Sequence, residues 1–257
     1  MRRWLLILGM ALLSGCASTE ATPSKNDVIA HTLATTVQVA VEGPGGSRRL
    51  GSGILLGVDP HADRTLVLTA HHVVGPDDGR HLAVRFPSGP RHEVEAVLLA
   101  SDPESDLALL AIAGSDAPGA QLRQEAFLGD EVWVVAFPWG RQRTVIKGVV
   151  SQIGASDDAV PAALIAGPVR LIDASVSYGM SGGGVFDAGT GDLLGIVRGY
   201  RTGQLSVQGA DAGPFQVALA GETTVVSAAR IVCFLAASGV QDAVPTGTAA
   251  AQCRVDE

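Results

Sequence analysis

Short apolar runs, separated by clusters of Gly, Pro, Asp and Ser, are the dominant pattern along this chain. In the first run apolar and polar residues alternate, which is typical of a β-strand that buries one face. The runs of strand length cover residues 36–41, 48–56, 65–69, 82–86, 92–100, 107–112, 131–137, 143–153, 163–173, 181–186, 193–198 and 215–220. The stretch 114–125 interrupts the pattern and divides these runs into two sets of six.

Two sets of six short strands predict an all-β fold made of two six-stranded antiparallel β-barrels. Closing a sheet on itself removes its exposed edges, which makes a barrel a stable arrangement for short strands. We expect the N-terminal barrel over about residues 36–113 and the C-terminal barrel over about residues 126–222. The 32 glycines agree with many tight turns between strands rather than with a bundle of helices.

The hydrophobic period changes near the end of the chain. Over residues 227–238 the period becomes helical, and Ile231, Phe234 and Leu235 would share one face. We therefore expect a C-terminal α-helix over about residues 227–238. The remaining residues, 240–257, are expected to form a tail.

The first fifteen residues have the layout of a cleavable export signal. Arg2 and Arg3 precede the apolar run 4–13, which is shorter than the roughly 20 residues that a membrane-spanning helix requires. The segment Leu13-Ser14-Gly15-Cys16 resembles the lipobox of bacterial lipoproteins. The alternative is an ordinary secretory signal in which the cysteine is incidental.

The lipobox resemblance implies that residues 1–15 are removed, that Cys16 carries acyl chains, and that residues 16–30 form a polar linker. Two or more acyl chains give lasting attachment to a bilayer. The chain is accordingly expected in the bacterial cell envelope, facing the periplasm or the exterior, and at the outer membrane where the host has one. In that oxidising compartment Cys233 and Cys253 would form a disulfide; the alternative is a buried Cys233 and a free Cys253.

Charge and histidine spacing argue against two classes of ligand. The net charge of −8 and the isoelectric point near 5.2 disfavour contact with phosphate backbones, so no nucleic-acid partner is expected. His71 and His72 have no third ligand at a spacing typical of a metal site. We therefore expect neither a metal nor another cofactor.

A glycine-rich turn carries the strongest chemical signal in the chain. Ser181 lies within residues 179–184, where glycines permit the sharp backbone that points two amides at one spot. The N–H groups of Gly179 and Ser181 would stabilise an oxyanion while the Ser181 hydroxyl attacks a carbonyl carbon. A flexible turn without chemistry is the alternative.

A nucleophilic serine requires an imidazole base and a carboxylate that orients the imidazole. His71 and His72 follow an apolar run, and because neighbours on an extended segment face opposite sides, at most one of them can be the base. Asp102 precedes a proline and is typical of a turn, whereas Asp106 opens the next apolar run and is the better candidate. The alternative for the histidines is a surface pair without a catalytic role. The alternative for Asp106 is a cap at the entrance of a strand.

The order His72, Asp106, Ser181 resembles that of the chymotrypsin-like serine proteases, trypsin among them, and in particular the Deg/HtrA branch with its single-domain relatives. The motifs that carry this resemblance lie at residues 51–53, 68–74, 102–108, 128–130, 137–140, 148–154, 179–183 and 195–197. The resemblance covers about residues 36–238 and implies a trypsin-like protease domain over residues 31–239, with no PDZ domain after it.

By this resemblance the chain is a serine endopeptidase that cleaves protein or peptide substrates through an acyl-enzyme. Ser181 would attack, His72 would transfer the proton, Asp106 would orient His72, and the amides of Gly179 and Ser181 would form the oxyanion hole. One alternative is a catalytically silent or latent trypsin-fold scaffold that binds a partner at the membrane. An esterase is a further alternative, but the chain lacks the alternating strands and helices of α/β-hydrolases.

The resemblance also implies a specificity pocket. Ser175 would lie near its floor, and Arg198, Gly199 and Tyr200 would form a wall to which a substrate strand could add. Because Ser175 is not acidic, cleavage after Lys or Arg is not expected, and Tyr200 favours small apolar residues. Met180 replaces the acid that activates trypsin, so that route of activation is not expected. The oligomeric state stays open, with a monomer favoured.

Overall fold

The computed structural model describes residues 23–59, 61–76, 79–87, 93–114, 118–154, 166–205 and 215–240. The expected export signal, the lipidation site Cys16 and the expected tail after residue 240 lie outside the described residues. Cys233 is disulfide-bonded, while its expected partner Cys253 is not among the described residues. Within the described ranges, no helix has both the length and the apolar composition needed to cross a bilayer.

Six antiparallel strands close into the first barrel. They are β1 (Thr36–Glu42), β2 (Arg48–Val58), β3 (Arg64–Ala70), β4 (His81–Arg85), β5 (Glu93–Asp102) and β6 (Leu107–Ala113). Their closed order is β1-β2-β3-β6-β5-β4. The predicted first barrel is thus confirmed, and every strand bound lies within two residues of the corresponding apolar run.

Six further antiparallel strands close into the second barrel. The strands of this half of the chain are β7 (Ala126–Phe127), β8 (Glu131–Ala136), β9 (Thr144–Ile153), β10 (Ala166–Gly167), β11 (Val169–Asp173), β12 (Gly184–Asp187), β13 (Leu193–Leu205) and β14 (Phe215–Ser227). The barrel closes in the order β11-β14-β13-β12-β8-β9, and β7 and β10 form a small separate sheet. The all-β prediction of two six-stranded barrels is therefore confirmed. The last strand extends well beyond residue 220, where its apolar run ended.

Neighbouring residues on one strand belong to different cores. Leu55 and Val67 are fully buried inside the first barrel. Ile54 and Leu68, one residue away along the same strands, pack with Phe186 in a cluster that joins the two barrels. Because both faces of these strands are buried, their sequences are continuously apolar instead of alternating.

The predicted C-terminal helix is confirmed as α3, over Ala228–Ala237. Its N-cap is Ser227, whose side chain accepts a hydrogen bond from the backbone N–H of Arg230. Ile231 and Leu235 of this helix are buried in the cluster between the barrels. The helix packs mainly against β13 and β14 of the second barrel.

The linker expected over residues 16–30 ends earlier than predicted, because a helix, α1, occupies Lys25–Thr35. Ser24 and Asp27 form a capping box, in which each side chain bonds the other residue's backbone N–H. Val28 and Thr32 are buried by packing against the barrels. Small polar residues had suggested a linker, but the capping box and this buried face stabilise a helix instead.

Candidate active site

His72 and Asp106 are in direct contact at one end of the first barrel. β3 ends at Ala70, and a single helical turn, α2 (His71–Val74), follows it. Nδ1 of His72 lies 3.0 and 2.9 Å from the two carboxylate oxygens of Asp106, and the His72 backbone N–H donates to Oδ1 at 3.0 Å. An ionised carboxylate beside Nδ1 favours the tautomer protonated there, which leaves Nε2 able to accept a proton.

The neighbouring histidine has a different role. The backbone N–H of His71 donates to the Asp106 carbonyl at 3.1 Å, and its ring Nδ1 lies 2.6 Å from Oγ of Ser101. The expectation that both histidines lie on an extended segment was wrong, because they begin a helical turn. Across the described ranges, no three His, Cys, Asp or Glu side chains are grouped as the ligands of a metal would be.

Asp106 adopts a backbone conformation that is uncommon for its residue type. Its φ of 58° lies in the left-handed region, where strained non-glycine residues are often functional. Asp102 has the turn role predicted for it, since its Oδ1 accepts the backbone N–H groups of Glu104 and Ser105 at 3.0 and 3.2 Å. The turn between them therefore delivers the Asp106 carboxylate to the histidine.

Burial and hydrogen bonding act in opposite directions on Asp106, which is only 6% exposed. Burial alone would raise the pKa of this carboxyl, but the hydrogen bonds from His72 and the charge of Arg198 hold the pKa below its ordinary value of 3.8. The Arg198 guanidinium contributes at a distance of 3.6 Å between Nε and Oδ2. Asp106 is therefore ionised at neutral pH.

Ser181 lies in a turn that only glycine-rich sequence can form. Gly179 and Gly182 have φ values of +86° and +80°. A Cβ on Gly182 would lie 2.2 Å from the carbonyl oxygen of Ser52, and one on Gly179 would lie 2.8 Å from the carbonyl oxygen of Phe137. The turn is thus packed against backbone on two sides, which fixes the position of Ser181 between the barrels.

The Ser181 hydroxyl donates to the carbonyl of Arg198 at 3.4 Å. A hydrogen bond from Ser181 to His72 is not formed in this structure, although both residues are described. Such a bond often forms only when substrate is present. Arg198 therefore lies between the two halves of the site, with its carbonyl on Ser181 and its guanidinium near Asp106.

Two backbone donors remain available beside Ser181. The N–H groups of Met180, Gly182 and Gly183 donate to the carbonyls of Ser177, Val197 and Met180, respectively. The N–H groups of Gly179 and Ser181 donate to no partner within the described part of the chain. These are the two amides that the sequence assigned to an oxyanion hole, and their alternation with bonded amides agrees with that assignment.

The peptide between Tyr178 and Gly179 is oriented by a neighbouring turn. Trp139 lies in a short 3₁₀ turn, Pro138–Gly140, and its backbone N–H donates to the Tyr178 carbonyl at 2.6 Å. The rings of Trp139 and Tyr178 also pack, with their centroids 5.8 Å apart. Because N–H and C=O point in opposite directions across a trans peptide, this bond turns the Gly179 N–H away from Trp139.

Ser52, on β2 of the first barrel, contacts the serine turn in two ways. Its fully buried hydroxyl donates to the Gly179 carbonyl at 2.9 Å and accepts the Phe137 N–H at 2.9 Å. Its backbone N–H donates to the Ser181 carbonyl at 2.8 Å. Sequence reasoning noted the Gly-Ser-Gly motif at residues 51–53 but gave Ser52 no role. The flanking glycines were the only feature of the sequence that pointed to this position.

The residues expected to form a specificity pocket are Ser175, Arg198, Gly199 and Tyr200. Arg198 occupies a β-bulge of β13, because Val197 pairs with Val225 and Gly199 already pairs with Thr224. Its side chain points to Asp106 instead of lining a wall. Tyr200 is 43% exposed, and Ser175 is exposed as well. The roles of Ser175, Gly199 and Tyr200 in specificity stay predictions.

Comparison with known proteins agrees with this geometry. Residues 51–196 match the model of the trypsin-like peptidase domain. A protein of Pseudomonas fluorescens Pf-5, named a probable periplasmic serine endoprotease DegP-like, is 36% identical to the chain over 155 residues. The match covers 58% of this chain and 29% of that relative, so the chain spans less than a third of its length.

Solved structures show the same fold. A serine endoprotease from Yersinia pestis superposes with a TM-score of 0.61 at 24% identity, over 88% of this chain and 70% of that chain. The HtrA-type protease AlgW, solved with a tripeptide, superposes with a TM-score of 0.61 at 22% identity, over 86% of this chain and 65% of that chain. At these identities the likeness is one of fold, the double barrel described above.

Proposed function

Because the chain belongs to the trypsin-like peptidases, which are serine-type endopeptidases, we propose that it hydrolyses peptide bonds through Ser181, His72 and Asp106. The observation that carries this assignment is the contact of Nδ1 of His72 with both oxygens of a buried, ionised Asp106. A neighbouring histidine and a neighbouring aspartate are both occupied elsewhere. The substrate is accordingly a protein or peptide.

The reaction begins when the Ser181 hydroxyl turns from the Arg198 carbonyl towards Nε2 of His72. As Oγ attacks the carbonyl carbon of the scissile bond, its proton passes to Nε2, and Asp106 stabilises the resulting imidazolium. The negative charge that develops on the substrate oxygen is met by the N–H groups of Gly179 and Ser181. His72 then protonates the leaving amine, and water releases the acyl group from Ser181 by the same steps.

One edge of β13 is available to hold the substrate. Within the described part of the chain, residues 199–205 of this strand pair with β14 alone, whereas residues 193–196 also pair with β12. A substrate segment can therefore add to the open edge through main-chain hydrogen bonds, ending at Ser181. The half-exposed ring of Tyr200 beside this edge favours small apolar side chains before the scissile bond.

Labelling with a fluorophosphonate tests the site, because the reagent loses fluoride and phosphonylates only a serine that a base has activated. Intact mass should show one adduct on the parent chain and none on Ser181→Ala or His72→Ala. His71→Ala is the matched control and should label, since the His71 ring contacts Ser101 and its backbone bond to Asp106 is kept in the variant. Equal labelling of the His71 and His72 variants would contradict the assignment of His72 as the base.

A latent enzyme is the second candidate, and one observation favours it. The Ser181 hydroxyl bonds the Arg198 carbonyl and not His72 in the absence of substrate. A latent site would label slowly until a peptide that pairs with β13 is added. Labelling at full rate without any peptide would rule out latency, and a folded chain that never labels would indicate a silent binding scaffold.

We propose that the chain resides in the bacterial cell envelope, held there by lipid on Cys16. The support is the lipobox-like sequence Leu13-Ser14-Gly15-Cys16 together with a relative whose name describes it as periplasmic. Metabolic labelling with an alkyne fatty acid should tag the parent chain and leave Cys16→Ser untagged. A parent chain that takes up no tag, or a Cys16→Ser chain that is tagged as strongly as the parent, would refute the lipid anchor.

A further inference from the structure

A small basic cavity adjoins the serine turn. It has a volume of about 170 Å³, and its lining includes Arg48, Arg49, Arg80 and Tyr178. Resting on the proposed peptidase function, we infer that this cavity is a subsite for a substrate carboxylate on the leaving-group side of the scissile bond. A preference for acidic residues after that bond is the consequence. We call the cavity the arginine subsite.

The position of the arginine subsite follows from the contacts of Ser181. On one side, the Ser181 hydroxyl meets the Arg198 carbonyl of β13, where the acyl half of the substrate is proposed to pair. On the other side, the Ser181 carbonyl meets the N–H of Ser52 on β2. Arg48 and Arg49 belong to the same strand, and Arg49 precedes Ser52 by only three residues. A chain that leaves β13 at Ser181 therefore continues over this part of the first barrel.

Tyr178 connects the subsite to the catalytic turn. It precedes Ser181 by three residues, its ring is 57% exposed, and it lines the cavity. Its carbonyl is held by the Trp139 N–H, so the ring stays at the rim while the oxyanion amides face the reacting carbonyl. The cavity wall therefore lies only a few residues along the chain from the nucleophile. We place the subsite one to three substrate residues after the scissile bond.

Two of the guanidinium groups that line the arginine subsite lie close to one point beside Gly75. A Cβ on Gly75, whose φ is +69°, would lie 2.6 Å from Nη1 of Arg80 and 3.0 Å from Nη1 of Arg49. The absence of a side chain there lets both groups approach one point. Nη1 of Arg49 donates to the carbonyls of His72 and Val73 at 2.9 and 3.3 Å. These neutral acceptors orient the guanidinium without cancelling its charge.

Arg48 adds a third positive charge at the rim. Its Nε lies 3.8 Å from Glu42, and both side chains are largely exposed, so this pair contributes little stability and can open. Arginine offers planar N–H pairs that match the two oxygens of a carboxylate. A glutamate or aspartate side chain, or the terminal carboxylate of a short product, presents this chemistry.

Peptides that differ only after the scissile bond test the subsite. They share one acyl half and carry Glu, Gln or Lys at each of the three following positions, each made with a free or an amidated C-terminus. At one position Glu should exceed Gln in kcat/KM by about threefold to tenfold, and added salt should shrink the difference. An advantage of Glu in both the free and the amidated peptides assigns the side chain as ligand, whereas an advantage of the free acid over the amide, with Glu and Gln equal, assigns the C-terminus.

Variants of Arg48 provide the matched comparison. Arg48→Gln should lower the Glu-to-Gln ratio of kcat/KM, and Arg48→Glu, which reverses the charge at this position, should lower the ratio further. Arg85→Gln is the control, because Arg85 pairs with Glu93 on β4 and β5 and does not line the cavity. It should keep the preference for Glu.

A p-nitroanilide with the same acyl half separates the two proposals, because its leaving group has no residues to occupy the subsite. Hydrolysis of the anilide, combined with equal rates for the Glu and Gln peptides, would overturn the arginine subsite and leave the peptidase function intact. Absence of hydrolysis for every substrate would overturn both. Hydrolysis of the anilide together with an Arg48-dependent preference for Glu supports both.

Discussion

At the scale of single residues, the Asp106 carboxylate contacts the ring of His72 and not that of His71. Asp106→Asn keeps the shape of the side chain but offers an amide, which favours the wrong tautomer of His72. We expect turnover to fall by about 10³-fold to 10⁴-fold while the chain still folds at neutral pH. Asp102→Asn is the matched control, because Asp102 only caps the turn. Steady-state kinetics on one peptide should show a loss of turnover that is at least about a hundred times larger for Asp106→Asn than for Asp102→Asn.

The lowered pKa of Asp106 also predicts how stability depends on pH. A carboxyl whose pKa is lower in the folded chain stabilises the fold fully above its unfolded pKa of about 4, and loses this contribution as pH falls through the folded value. The parent should therefore exceed Asp106→Asn in unfolding free energy most clearly above about pH 5. Urea unfolding between pH 7 and pH 3 should show the gap narrowing below about pH 4. A gap that is constant across this range would contradict the argument.

Ser52 is expected to position the oxyanion turn without touching substrate. Ser52→Ala leaves the buried N–H of Phe137 and the carbonyl of Gly179 without their shared partner. We expect kcat to fall about tenfold, less than the 10²-fold to 10³-fold typical of losing an oxyanion donor, while KM changes little. Thr69→Val is the control, since Thr69 bonds only the Ser52 carbonyl. It should cost similar stability, and an equal fall in kcat for both variants would show that Ser52 acts through stability alone.

The sequence could single out the side chains proposed to react but not the residues that position them. Ser181, Asp106 and His72 lie beside glycine turns or at strand ends, which the local pattern already marks. Ser52 and Gly179 are 127 positions apart, and their contact exists only after both barrels form. The contact of Arg198 with Asp106 likewise depends on the bulge in β13. Long-range contacts of this kind leave no signal in a single sequence.

At the scale of elements, strands were easier to predict than helices. Because the strands are buried on two faces, each is an apolar run bounded by turn residues. The sequence therefore indicates where each strand begins and ends. α2 is too short to show any period, because it has only four residues. α1 was missed because its buried face is made of Val28, Thr32 and Thr35, and two of these are polar. Packing and capping, more than apolar composition, stabilise this helix.

The cap of α1 should therefore matter for stability. Ser24→Ala removes the acceptor for the Asp27 N–H and the partner of the Asp27 carboxylate. We expect the unfolding free energy to drop by about 0.5–2 kcal/mol. Ser151→Ala is the control, because Ser151 is exposed on β9 and caps no helix. Urea denaturation of the two variants measures the difference, and equal midpoints would mean that α1 adds no stability of its own.

At the scale of the whole molecule, the candidate site lies in the seam between the barrels. His72 and Asp106 belong to the first barrel, whereas Ser181 and the open edge of β13 belong to the second. A backbone hydrogen bond of 2.8 Å across this seam joins the Ser52 N–H to the Ser181 carbonyl. Catalytic geometry is therefore a property of how the barrels meet, and a change at the seam should alter activity and stability together.

Gly182 allows that approach, and its replacement tests it. In Gly182→Ala the new Cβ would meet the Ser52 carbonyl at 2.2 Å and Oγ1 of Thr69 at 2.5 Å, so the serine turn must move away from the first barrel. Gly129→Ala is the matched control, since Gly129 has a similar φ of +88° but no atom within 4 Å of its Cβ position. Left-handed strain alone costs about 1–2 kcal/mol, and we expect Gly129→Ala to lose that much stability while labelling with fluorophosphonate at the parental rate. Gly182→Ala should lose more stability and most of its labelling rate. Equal effects in the two variants would show that strain, and not the contact between the barrels, accounts for the loss.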